Sequence, residues 1–501
     1  MSDITKPAAS TVTEESDKKF KERVEQLLTR PSADGTGAFT PADTNRPRMP
    51  YRSRVEFLPV VNEGFEGAWG DPQAAVMVTS YQLEGAAAAS RPVCFAFNGG
   101  PGSASIWLHL GALGPKRVVV PDDGSMPVGP YSISDNPLSW FEHFDMVFID
   151  PPHTGWSVSA NEKARKRMLG VDGDVDALAE VMRVWLTRHQ RWGSAVYLAG
   201  ESYGTTRGAA LADKLQGMGV GLSGVILISC AMDLQSIDFA PANDLPYALF
   251  LPAFANVAQF HGMLQGPLAA SSEVARQAAE AFVVDDYVAA LHLGARLDGT
   301  RRSRVAARIA ELIGVPQTLV DAHNLRISDQ TFFFDALRHR GRIVGRLDAR
   351  VTGTMAASRT RQWEFDPGIE SIVAPYTMAA MAYFRDQLGV TIEQRYEVLS
   401  EATHKAWNWN RGEAQGNSFT STTPELARAL RRNPNLRVFV ASGRYDLGTP
   451  YSATDWSLAQ LDVPAEVFGR IQHCYYDAGH MMYTRSADLA RLKADLSAWL
   501  G

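Results

Sequence analysis

The chain is poor in cysteine: Cys94, Cys230 and Cys474 are its three. Their odd number and wide spacing imply no disulfide framework and fit a reducing compartment. Each lies in or beside an apolar strand-like run, where a thiol serves as a small buried hydrophobe. No uninterrupted apolar stretch is long enough to cross a bilayer. The opening MSDITKPAASTVTEESDKKFKERVEQ has no apolar segment of the secretory type. These two absences predict a soluble, cytoplasmic protein with no membrane partner. Long basic runs are missing too, and 49 Lys and Arg against 55 Asp and Glu give a net charge of −6, which argues against nucleic acid as a partner. What remains is 45% hydrophobic and 21% charged over 501 residues, enough for one large core or a core with a sizeable insertion.

Residues 1–50 are rich in Ser, Thr, Pro and charge and read as a flexible polar leader, with a short helix possible between Lys18 and Arg30. From Arg52 the pattern changes. RVEFLPV, AAVMVTSYQL (74–83), RPVCFAFNG (91–99), FDMVFIDP (144–151), AVYLAG (195–200) and SGVILISC (223–230) are short runs rich in Val, Ile and Phe. Each is closed by Gly, Pro, Asp or Ser, as strands are. Helical patterns lie between the later ones, clearest in 171–192, where apolar residues recur at three- and four-residue steps behind Asp172, Asp174 and Asp176. Strands alternating with helices predict a mainly parallel sheet covered on both faces. The alternation stops after Cys230 and resumes at LRVFVASG (436–443) and HCYYDAG (473–479). A break of that length is no simple loop. The expected organisation is a core over 51–230 and 431–501, interrupted by a mostly helical cap over 231–430 that walls a pocket.

The chemistry is placed at Gly200-Glu201-Ser202-Tyr203-Gly204, a G-x-S-x-G pattern that occurs once. AVYLA supplies a strand before it and TTRGAALADKL a helix after it. Small residues flank the serine because the strand must turn sharply into the helix, which lifts the hydroxyl of Ser202 clear of the sheet. A serine needs a base in reach and the base needs an orienting acid, expected in the order Ser, acid, His on loops after late strands. Asp446 in ASGRYDLGTP and His480 in YYDAGHMMY fill those places. His473 sits at the wrong end of its strand, and Asp477 is crowded into the turn of His480. His189 and His339 read as solvated, and His109, His292 and His404 as helix residues with surface or core roles. The tetrahedral intermediate needs preorganised donors. The turn Asn98-Gly99-Gly100-Pro101-Gly102 offers the N–H of Gly100, and the elbow offers the N–H of Tyr203. The same turn lacks the spacing of dinucleotide- and phosphate-binding loops, and no Lys follows it.

NGGPG after a strand, then GESYG, a late Asp loop and AGHM together resemble the serine carboxypeptidases, from about residue 90 to the C-terminus. The resemblance implies an α/β-hydrolase fold with a helical cap and a triad of Ser202, Asp446 and His480. It also implies release of C-terminal residues from peptides without metal or organic cofactor. Asn98, Gly99 and Glu201 stand where that family holds the substrate's free carboxylate, which a carboxylic acid can do only while one partner is neutral. Mildly acidic pH should therefore favour peptidase action.

The sequence departs from the family at three places. A second family glutamate is replaced by Ala112, a cysteine by Ser103, and a conserved-type turn by Pro151-Pro152-His153-Thr154-Gly155, so His153 lines the pocket or sits in a solvated loop. Ala112 keeps an esterase, amidase or acyltransferase open beside the peptidase, all acting on a peptide or small acyl substrate. A non-catalytic binding protein is the more remote alternative, and a lyase on the same fold has no specific support. Trp407 and Trp409 line the pocket or merely pack.

Overall fold

The Val-, Ile- and Phe-rich runs pair into one ten-stranded sheet: β1 (Ala33–Phe39), β2 (Met49–Val60), β3 (Ala74–Leu83), β4 (Val93–Phe97), β5 (Asp145–Ile149), β6 (Val158–Ser159), β7 (Val196–Glu201), β8 (Leu222–Ile228), β9 (Arg437–Gly443) and β10 (Ile471–Tyr476). The computed structural model describes residues 9–61, 70–87, 91–411 and 419–501. The strand order is β1-β2-β3-β5-β4-β7-β8-β9-β10, with β6 on β3. Pairing is antiparallel from β1 through β3 to β5 and between β3 and β6, and parallel from β5 through β4, β7, β8 and β9 to β10. Every residue of β4 and β5 is buried, which is why these strands read as unbroken apolar runs rather than alternating ones.

Helices Val171–Arg188, Tyr203–Gly217 and Thr423–Arg432 cover one face, with Trp185, Leu211 and Leu430 packed among Phe95, Leu198 and Val440. Helices Pro367–Asp386 and Ser486–Leu500 cover the other, with Tyr376, Leu492 and Trp499 packed among Ala96, Ile226 and Phe439. This is the expected α/β architecture, a mixed and mostly parallel sheet between helical layers. Among the described residues no helix is long and apolar enough to span a membrane.

Two parts of the expected organisation are corrected. The first 50 residues are not a flexible leader where they are described; residues 1–8 lie outside the described set. Ala9–Thr29 is a helix whose Val24 and Leu27 are buried, and β1 pairs with β2 over seven residues. The few apolar residues of this segment fall at core-facing positions, so low overall hydrophobicity was a poor guide.

The insertion is also smaller than 231–430. Helices Leu245–Phe260, Ser272–Phe282, Gly299–Ile313 and Asp329–Asp335 do share a separate core, with Phe254 stacked on Phe332 at 4.3 Å. Helices Pro367–Asp386 and Thr423–Arg432, however, belong to the two layers of the sheet. No strand separates them from the cap in sequence, so strand spacing alone cannot assign them. The insertion also carries a short antiparallel ladder, Arg342–Val344 with Thr352–Thr354.

A buried ion pair fastens the sheet's helices to its loops. Arg207, 1% exposed, donates from Nε to Asp174 Oδ2 at 2.7 Å and from Nη1 to the carbonyl of Asn98 at 2.6 Å. The Tyr203 hydroxyl donates to the same Asp174 carboxylate at 3.2 Å. Removing one partner leaves an uncompensated buried charge. Arg207→Met is expected to lower the unfolding free energy by about 3–5 kcal/mol in urea titrations. The double variant Asp174→Asn/Arg207→Met should lose less than Arg207→Met alone.

Candidate active site

β7 ends at Glu201, and the chain reverses at Ser202 with φ 61° and ψ −130°. A non-glycine residue in this region is strained and must be held by its surroundings. The Ser202 N–H donates to the Ile228 carbonyl at 3.0 Å, and the Thr205 N–H donates to the Ser202 carbonyl at 2.8 Å. A Cβ on Gly200 would meet the Gly204 carbonyl oxygen at 2.2 Å. The elbow therefore needs glycine at that position for close approach, as the sequence suggested.

Asp446 and His480 come from the loops after β9 and β10. His480 Nδ1 lies 2.6 Å from Asp446 Oδ2. Oδ2 also accepts from the Thr449 hydroxyl at 2.7 Å, and Oδ1 accepts from the N–H groups of Gly448 and Thr449 at 2.7 and 3.0 Å. Burial alone would push the Asp446 carboxyl up, but the charge of His480 and these donors hold it below its ordinary value. Burial likewise pulls His480 down, and the Asp446 carboxylate overcomes it and leaves the imidazole raised. The His480 N–H donates to the Leu347 carbonyl and its carbonyl accepts from the Ser229 hydroxyl, both at 2.6 Å. With Nδ1 committed to Asp446, Nε2 is the nitrogen left for chemistry.

The Asn98–Gly102 turn packs directly on the elbow: a Cβ on Gly99 would fall 2.5 Å from the backbone nitrogens of Tyr203 and Gly204. Asn98 Nδ2 donates to Glu201 Oε1 at 2.8 Å, while Asn98 Oδ1 accepts from the Leu108 N–H at 3.0 Å, which fixes the amide's orientation. Burial pushes the Glu201 carboxyl up to about 7, against the pull of His480, Tyr483 and Asn98 and with a push from Asp446. Its Oε2 has no hydrogen-bond partner among the described residues, and neither has the neighbouring Tyr483 hydroxyl. Ala112 is buried, and the space beside Gly111 in the same turn is filled by the rings of Tyr483 and Tyr376. Two phenols thus crowd Gly111, the residue before Ala112. Tyr483 stands three residues beyond His480 in AGHMMY, a position the sequence reading passed over.

Two chambers meet at Ser202. One, of about 420 Å³, is lined by Tyr203, Leu234, Ile237, Trp409 and Thr449. The other, of about 580 Å³, is lined by Asn98, Gly99, Trp107, Glu201, His480 and Met481. Gly100, Ser202, Arg346 and His404 line both. The structure thus brings all the residues singled out in sequence to one place, Asp446 standing behind the wall. His404 and Arg346 were not foreseen, because a short surface helix and an Arg-rich stretch give no positional signal.

The rivals go elsewhere. His473 bonds Asp455 and Ser442, and Asp477 is exposed. His189, expected to be solvated, is buried against Glu56 at 2.5 Å. His109 bonds the Tyr81 hydroxyl in the core. His153 is neither pocket lining nor free in solvent: half-buried, it bonds the Ser159 hydroxyl at 2.9 Å. Trp409 lines the first chamber, while Trp407 is buried edge-on to Tyr203 at 5.2 Å.

The Glu201 carboxyl has a consequence for stability. Its folded value of about 7 lies above the ordinary 4.5, so ionising it costs nothing below about pH 4.5, progressively more up to about pH 7, and a constant amount beyond. Glu201→Gln removes that cost. The variant's stability relative to wild type should rise between pH 4.5 and 7 by on the order of 3 kcal/mol in denaturant titrations across pH.

Comparison with known proteins bears on the family and on the fold. Residues 79–219, from β3 through the elbow helix, match the family model for serine carboxypeptidases. The chain is 32% identical over 160 residues to the pheromone-processing carboxypeptidase KEX1 of Yarrowia lipolytica, a match covering 30% of this chain and 23% of that protein's length. Among solved structures, the prohormone-processing carboxypeptidase KEX1(Δ)p from Saccharomyces cerevisiae superposes with a TM-score of 0.54 at 13% identity, over 90% of this chain and 91% of that one. Proline iminopeptidase from Mycobacterium smegmatis gives 0.35 at 12% identity, over 93% and 97%. Residues 79–219, which carry NGGPG and GESYG, are thus similar to the serine carboxypeptidases, and the chain as a whole has the α/β-hydrolase fold.

Proposed function

We propose that the protein is a serine-type carboxypeptidase that hydrolyses C-terminal peptide bonds through an acyl-enzyme on Ser202. The supporting observation is the Asp446–His480 bond of 2.6 Å at the wall of a chamber that also contains Ser202, Asn98 and Glu201, whose carboxyl burial pushes up to about 7. Ser202 Oγ attacks the scissile carbonyl and passes its proton to His480 Nε2. The oxyanion is received by the N–H groups of Gly100 and Tyr203. His480 returns the proton to the departing amine, and the amino acid leaves. Water, deprotonated by the same nitrogen, then opens the ester and restores the serine. Asp446 fixes the tautomer and stabilises the imidazolium. Protonated Glu201 and the Asn98 amide receive the leaving group's carboxylate. That the two KEX1 proteins above are named as carboxypeptidases supports the direction of this reading.

Ala112 favours a second reading, an esterase, amidase or acyltransferase, because one half of the acid pair that would receive a carboxylate is missing. A fluorophosphonate should label Ser202 in folded protein, and Ser202→Ala should abolish labelling and lower kcat by about 10⁵–10⁶-fold. A blocked dipeptide should be cleaved when its C-terminus is free and poorly when it is amidated; equal rates would favour the second reading.

The pH profile follows from two groups. His480 must be neutral, so kcat/KM rises through a value above 6.5. Glu201 must be protonated to share a proton with the carboxylate, so for free-acid substrates kcat/KM falls again as pH passes about 7. For the amide the second limb should be absent, and Glu201→Gln should remove it for the acid.

A further inference from the structure

Resting on the carboxypeptidase reading, we propose that Arg346 is the specificity-determining cation for the substrate's C-terminal carboxylate, placed in the lining shared by the two chambers, in one of which Asn98 and Glu201 also lie. Its guanidinium is exposed and has no hydrogen-bond or ion-pair partner among the described residues, whereas its backbone is held on both sides. The Arg346 N–H donates to Asp366 Oδ1 at 2.9 Å, and its carbonyl accepts from the Leu447 N–H at 3.0 Å. The next residue accepts the His480 N–H. The side chain lies over the triad loop: a Cβ on Gly448 would be 3.5 Å from its guanidinium carbon and 3.2 Å from Asp446 Oδ1. A fixed backbone with an unspent guanidinium is the arrangement expected of a residue that waits for a ligand.

The charge of the second chamber gives Arg346 its task. Glu201, Glu364, Asp366, Glu370 and Glu401 all line it, and Arg346 is the one Lys or Arg among the lining residues. Asp366 is already occupied by three backbone N–H groups, and Glu401 pairs with Lys405 at 2.7 Å. A carboxylate entering this space is repelled by the ionised carboxylates of the wall at neutral pH. A single neutral Glu201 supplies one proton to share, and Ala112 supplies none. A guanidinium supplies both the charge and a two-pronged donor.

The test compares wild type, Arg346→Gln and Arg346→Lys on one blocked dipeptide as its free acid and as its amide, with fluorophosphonate labelling as a measure of the serine site. Arg346→Gln should lower kcat/KM for the acid by roughly 10- to 100-fold, mainly through KM, and change amide cleavage less than about threefold. Arg346→Lys should recover part of the loss. Equal losses on acid and amide would overturn the proposal, since Arg346 would then act through His480 or the fold. A preference for the acid that survives Arg346→Gln would overturn it while sparing the carboxypeptidase reading. A wild type that labels at Ser202 yet does not distinguish acid from amide would overturn both.

Discussion

One buried guanidinium holds the functional parts in register. Arg207 stands on the first turns of the elbow helix, reaches Asp174 on the neighbouring helix and binds the carbonyl of Asn98 in the glycine turn. Asp174 in turn binds the hydroxyl of Tyr203. The strained Ser202, the two backbone donors and the Asn98 amide are therefore coupled through a single charge that cannot be left unpaired away from water. Such a pair adds little net stability over an apolar substitute, so its value lies in geometry: it ties two helices and the glycine turn to one another.

The same dependence explains what could be read from sequence. Short motifs whose chemistry forces a backbone shape were legible: Gly200 and Gly204 around Ser202, the Asn98–Gly102 turn, and the strand-end positions of Asp446 and His480. The sheet was legible because buried parallel strands are continuously apolar. What escaped was whatever depends on packing between distant segments. Val24 and Leu27 bury a helix that composition alone calls a loose leader. Pro367–Asp386 closes one face of the sheet although nothing local separates it from the cap. Arg346, His404 and Tyr483 reach the site through tertiary placement, and no spacing rule points to them.

A second hydrogen-bond chain shows why connectivity is not enough. Ser442 Oγ lies 2.9 Å from His473 Nε2, and His473 Nδ1 lies 2.9 Å from Asp455 Oδ1. The order of atoms is that of a serine triad. Yet Ser442 is fully buried within the β9–β10 pairing, opposite Tyr475, and neither chamber includes it. Its backbone is ordinary strand, so no strain presents the hydroxyl and no donors wait for an oxyanion. The group at Ser202 differs in lying where two chambers meet, and it is that space which turns a polar network into a candidate for catalysis.

The chamber around Glu201 can be understood as one electrostatic problem with two physical solutions. Two acids sharing a proton bind a third carboxylate well only while enough of them are neutral, so recognition is tied to low pH. A guanidinium keeps its charge at any pH at which the fold survives. With Ala112 in place of an acid and Tyr483 beside the unpartnered oxygen of Glu201, the first solution is only half present. The exposed Arg346, on a backbone bolted to Asp366 and Leu447, is what the second requires. The penalty is that a permanent positive charge close to His480 opposes protonation of the base, and the Asp446 carboxylate, held ionised by four donors, offsets it. Placing the cation across Gly448 from that carboxylate is therefore what the proposed carboxylate recognition and proton transfer require if they are to share one small space.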